Sequence, residues 1–134
     1  MRSLDLARAA SKLVSMFRSS TEAIVDRFNQ VFQQHDPAAL SEIVADECVI
    51  ENTGPAPDGA RFERRSACVE LWTRIATTPG TSFTLEKVET FGERALIFWC
   101  LHFGAGDQQR VRGLNVMRIV AGQIVEALGY VKSG

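Results

Sequence analysis

The chain has 134 residues, is 46% apolar and 23% charged, and carries a formal net charge of -1; this suits one globular domain with its own core. Near-neutral charge argues against a broad electrostatic platform for nucleic acid or acidic lipid, and no run approaches the ~20 apolar residues of a membrane span. Three widely spaced cysteines, Cys48, Cys68 and Cys100, argue against a disulfide framework and fit a reducing cytoplasm.

The first stretch, "MRSLDLARAASKLVSMF", is broken by Asp5, Arg8 and Lys12 and lacks the apolar centre of a signal peptide. Leu6, Ala10, Leu13, Val14 and Phe17 recur at helical spacing. This predicts a helical extension over residues 1–18, ahead of one domain over 19–134. Ser19 and Glu22 fit a capping box, and Ile24, Val25, Phe28, Val31 and Phe32 then form one stripe of a long helix. The helix should end near His35-Asp36-Pro37, because the residue before proline disfavours the helical region. A histidine there suits the helix dipole, so His35 reads as structural. Asp36 can cap a short second helix, "AALSEIVA", that Pro37 opens.

"ECVIEN" alternates and predicts a strand; "TGPAPDG" is a turn. Arg61, Arg64 and Arg65 are interrupted by Glu63 and read as a solvated helix start. "RRSACVELWTRIAT" is that helix, with Cys68, Leu71, Trp72 and Ile75 on one face. Four strand signals follow: "SFTLEKVETF", "RALIFWCLHF", "RVRGLNVMRIV" and "QIVEALGYV". The last two flank the tight turn Val120-Ala121-Gly122-Gln123. Helices followed by a run of strands predict an α+β domain, with helices covering one face of a curved antiparallel sheet.

This order resembles the nuclear transport factor 2-like superfamily, which includes ketosteroid isomerases, SnoaL-like polyketide cyclases and limonene epoxide hydrolases. The resemblance runs from about Thr21 to Lys132. It is carried by "AIVDRFNQVFQQHDPAALSEIVADECVIEN", "ACVELWTRI" and "GLNVMRIVAGQIVEALGYVK". It implies a cone-shaped fold, also called cystatin-like: a barrel-like curved sheet wrapped around a long helix, with a pocket at one end. It also implies catalytic positions, and this chain departs from each. Phe28 stands where the isomerases carry a Tyr, Asn52 where they carry the general base, and Asn115 where they carry a second acid. Cys100 and His102 stand where the epoxide hydrolases carry an Arg-x-Asp pair. Gly129 stands at the Asp of their last strand, where SnoaL-like proteins often carry an Asp too. Asn cannot act as a general base near neutral pH, but it can donate a hydrogen bond to a carbonyl or oxyanion.

Alternate strand residues face opposite sides. If Asn52 faces inward, so do Cys48 and Ile50. If Asn115 does, so do Val111, Gly113, Met117 and Ile119. On the middle strand, Phe98, Cys100 and His102 form the expected inward set. Phe28 and Trp72 would cap the cavity, and Ala127 and Gly129 would enlarge it. Histidine is the residue type suited to acid–base work near neutral pH, so His102 is the candidate acid or base. Phe28, Asn52, Trp72, Phe98, Cys100, Asn115, Met117 and Gly129 are the candidate substrate-binding residues. Cys100 and His102 lack a closing ligand set, so neither metal nor cofactor is expected. Trp99 then falls on the outer face with Leu101, Leu114, Val116 and Leu128, edged by Arg112, Arg118 and Glu126. Such a patch predicts a homodimer, as is common in the superfamily. Two functions remain: proton transfer on a small apolar carbonyl compound, or ligand binding or dimeric association without turnover.

Overall fold

The computed structural model describes residues 20–133. The expected extension over residues 1–18 and the Ser19 cap lie outside them. The described chain opens with α1 (Ser20–Gln33), whose apolar stripe Ile24, Val25, Phe28, Val31 and Phe32 is buried. His35 ends this helix in the left-handed region, with φ of 54°. The Asp36 N–H then reaches back to the Val31 carbonyl at 3.0 Å, the six-to-one bond of a Schellman end. His35 Nδ1 meets the Ala76 carbonyl at 2.9 Å, tying two helix ends together.

The Ala38 N–H donates to Asp36 Oδ1 at 3.0 Å, and α2 (Leu40–Ile43) follows. It is shorter than the sequence suggests, because Val44 and Ala45 are extended and begin β1 (Val44–Glu51). Arg61 lies in a three-residue strand, β2 (Arg61–Glu63), rather than at the helix start. It makes ion pairs with Glu51 and Glu63. The helix α3 (Arg65–Thr77) begins four residues later. Arg65 joins it to β1 through the Val44 carbonyl and Asp46.

The remaining strands are β3 (Ser82–Phe91), β4 (Arg94–His102), β5 (Arg110–Val120) and β6 (Gln123–Val131). The sheet has six strands in the order β2-β1-β6-β5-β4-β3. It is curved and open at both edges, so the barrel-like expectation is corrected to an unclosed sheet. Nor is it wholly antiparallel: β1 pairs parallel to β6. The reason is connectivity, since β1 and β6 are joined through the whole of the chain between them. Register shifts at Leu85/Lys87 in β3 and at Arg118/Ile119 in β5 interrupt the ladders. Bulges of this kind bend a sheet and increase its twist.

The helices lie over the concave face. Leu40, Ile43, Val44, Cys48, Cys68, Ile97, Met117 and Ile124 are fully buried at the centre of the core. Thr21 Oγ1 donates to the Gly92 carbonyl at 2.7 Å, pinning the start of α1 to the β3–β4 turn. No described helix is long and apolar enough to cross a membrane.

Candidate functional site

Between the helices and the concave sheet lies a cavity of about 260 Å³, small beside typical ligand pockets of roughly 300–1,000 Å³. From α1 it takes Phe28, Asn29, Phe32 and Gln33; from α3, Trp72 and Ile75. The sheet supplies Phe83, Leu85, Ile97, Trp99, Leu101 and Asn115, and the turn after β1 supplies Asn52 and Thr53. Much of the wall is a chain of aromatic rings. Trp72 meets Phe28 at 4.9 Å, Phe28 meets Phe32 at 4.8 Å, and Phe83 meets both Phe32 and Trp99 at 5.7 Å. All four contacts are edge-on, the arrangement favoured by ring quadrupoles.

Four expected residues, Phe28, Asn52, Trp72 and Asn115, line this cavity. The other five do not. Phe98, Cys100 and His102 belong to the outer face, because the register pairs Ile97 with Asn115 and Ala95 with Met117. Directly paired residues share a face, so the inward set on β4 is Ala95, Ile97, Trp99 and Leu101. The expected parity of β4 is therefore inverted. His102 Nε2 lies 3.2 Å from Thr84 Oγ1 on the outside of the sheet. Cys100 is buried there between Thr84 and Arg112.

Met117 faces inward but is sealed in the core. Gly129 does not enlarge the cavity: a Cβ built on it would lie 3.0 Å from Thr53 Cγ2 and 3.5 Å from the Glu51 carbonyl. Thr53 fills that space. Ala127 is likewise packed in the core. Trp99 and Leu101, expected on the outer face, line the cavity instead.

The position of Trp99 depends on the residue opposite it, Gly113. A Cβ on Gly113 would overlap the indole ring, so glycine is needed for close approach rather than for an unusual dihedral. Laid across β5, the indole Nε1–H donates to Asn115 Oδ1 at 3.2 Å. On the cavity side the carboxamide and hydroxyl side chains among the described residues are therefore Asn29, Gln33, Asn52, Thr53 and Asn115. None is ionisable.

Among the described residues, the buried groups with raised pKa lie elsewhere. Burial, reinforced by the neighbouring Cys68, pushes the Cys48 thiol far above the usual thiol range. Burial also raises Cys68, whose Sγ donates to the Cys48 carbonyl at 3.4 Å. Such thiols are inert as nucleophiles. Among the described residues, no group of three or more His, Cys, Asp or Glu is placed to hold a metal ion.

A model of the SnoaL-like domain matches residues 25–127. The chain belongs to the SnoaL-like family. It lies within the nuclear transport factor 2-like superfamily. A nuclear transport factor 2-like protein of unknown function from Mesorhizobium loti is 58% identical, with a TM-score of 0.81 over 85% of this chain and 92% of that one. A protein with a cystatin-like fold from Methylobium petroleophilum shares the fold at 18% identity and a TM-score of 0.70, over 87% of this chain and 78% of that one. An LEH-like epoxide hydrolase of M. tuberculosis does so at 19% identity and 0.65, over 84% and 79%. No curated protein matches.

Asn29, Gln33 and Thr53 are cavity residues that the sequence reading misses. Asn29 had a signal: it falls four residues after Val25, inside the apolar stripe of α1, where a polar residue is out of place. Thr53 had none, because its position depends on the turn after β1.

Proposed function

We propose that this SnoaL-like protein binds a small, neutral, mainly apolar molecule in the cavity and does not transfer protons on it. One observation carries the reading: among the described residues, every polar group that a side chain brings to the cavity is a carboxamide, a hydroxyl or an indole N–H. General acid–base catalysis needs a group that exchanges protons near the working pH, and carboxamides do not. His102, the one candidate from the sequence, lies across the sheet from the cavity. The chemistry named for a fold neighbour, epoxide hydrolysis, is thus not extended to this chain. The aromatic wall supports an apolar ring or chain as the ligand body.

The test is thermal stability of the purified protein against terpenoids, aromatic ketones and acyl compounds, followed by product analysis of any hit. A ligand at a hundredfold excess over Kd adds about 2.7 kcal/mol to stability. The expectation is a stabilising hit that is recovered unchanged, and unaltered binding in His102→Phe. Turnover that disappears in His102→Phe would overturn it.

We also infer a homodimer through the outer sheet face. Its centre holds the half-buried Leu96, Phe98, Leu114, Val116 and Leu128. Ion pairs frame it: Arg112 with Glu86 at 2.6 Å, Arg94 with Glu126 at 2.7 Å, and Arg118 with Glu93 at 3.3 Å. An apolar centre with a charged rim is how association surfaces are built. The free, buried cysteines support a reducing, cytoplasmic setting.

A further inference from the structure

Asn29 has no evident structural task. It is 6% exposed, and among the described residues no group hydrogen-bonds its carboxamide. Among the same residues, no fully sealed side-chain N or O lacks a partner, so the Asn29 amide opens onto the cavity it lines. A buried amide held without a partner is unfavourable. Leu at this position would complete the stripe of α1, yet the position holds both a donor and an acceptor at a mainly apolar cavity.

Asn115 differs. An indole N–H can only donate, so the Trp99 bond fixes which end of the Asn115 carboxamide is oxygen. With Oδ1 held by Trp99, the Nδ2 hydrogens have no side-chain partner among the described residues and are the donors Asn115 can offer. Trp99 therefore acts as a positioning residue that makes Asn115 a donor.

We propose that Asn29 and Asn115 are polar anchors of the cavity, and that they select a compact neutral hydroxyketone. Asn115 donates to the carbonyl oxygen. Asn29, with donor and acceptor both open, takes the hydroxyl. The ring chain from Trp72 to Trp99 packs the carbon skeleton. This rests on the reading of the cavity as a ligand site.

The experiment is a set of affinities for tetralin, 1-tetralone and monohydroxylated 1-tetralones, read by NMR titration, alongside the melting temperature of ligand-free protein. In the wild type each added polar group should tighten binding about three- to tenfold, the range of one neutral hydrogen bond. Asn115→Leu should erase the preference for ketone over hydrocarbon and leave tetralin binding intact. Asn29→Leu should erase the preference for the hydroxyl and raise the melting temperature of the empty protein, a gain that a structural amide would not give. Should Asn115→Leu fail to fold, Trp99→Phe reads the same anchor. The amide is then free to turn its oxygen inward, and the ketone preference should fall. Equal affinity for all the compounds, an unchanged hydroxyl preference in Asn29→Leu, or a lower melting temperature for that variant would overturn the anchors and leave the ligand site standing. No binding by any of the compounds would overturn both.

Discussion

Gly113 decides the site more than its absent side chain suggests. Its missing Cβ is the space that the Trp99 ring occupies, and the indole in turn orients Asn115. Gly113→Ala should push the ring out of register and destabilise the fold by about 1–3 kcal/mol, the usual cost of overpacking. Denaturant unfolding would measure the loss, and a shift in tryptophan emission would report the displaced ring. Cys48 and Cys68 give a second prediction at this scale. Burial keeps both thiols protonated, and both are fully inaccessible. A thiol reagent at pH 8 should therefore label neither until the protein unfolds. Labelling of either one in the native protein, located by peptide mapping, would contradict that packing.

At the level of elements, the β5–β6 hairpin turns on Ala121 and Gly122, with φ of 51° and 77°. Two successive positive values make a type I′ turn, whose twist matches the flanking strands. Gly122 takes its value freely, but an L-residue with a Cβ in this region is strained by about 1–2 kcal/mol. Asn tolerates the region better, and Asn-Gly is the favoured pair for this turn. Ala121→Asn should thus relieve part of that strain and stabilise the protein by up to about 1 kcal/mol, visible as a higher melting temperature. α1 works differently, since its stripe serves two purposes along one face. Val25 and Val31 fill the core, while Phe28, Asn29 and Phe32 line the cavity. Helical spacing locates that face but does not divide core from cavity.

At the scale of the whole molecule, the two proposed surfaces lie on opposite sides of the sheet. The concave side holds the cavity, and the convex side holds the apolar centre around Phe98. Phe98 is paired with Leu114 and flanked by the Arg112–Glu86 ion pair. Phe98→Glu should convert the inferred dimer to monomer in sedimentation without altering ligand binding, because the two surfaces share no side chain. A monomeric wild type would remove the association reading.

Residues close together in the chain were enough for much of this fold. The α1 stripe, the turn at Pro37, the α3 face and four successive strands all follow from local spacing, and so does the α+β class. Asn52 and Asn115 are expected at the cavity through the resemblance, and both line it; local alternation only says which neighbours share their face. It fails for β4, "RALIFWCLH", where nearly every residue is apolar and both faces look fit for burial. There the pairing of Ile97 with Asn115 decides, and it brings Trp99 into the cavity and puts His102 outside. The short β2 escapes notice because three residues, two of them charged, carry no period of their own; β1 holds them in the sheet. Sequence thus settled which elements form, because periodicity is local. Tertiary structure alone settled which chemistry faces the cavity, because register between strands is fixed by partners distant in the chain.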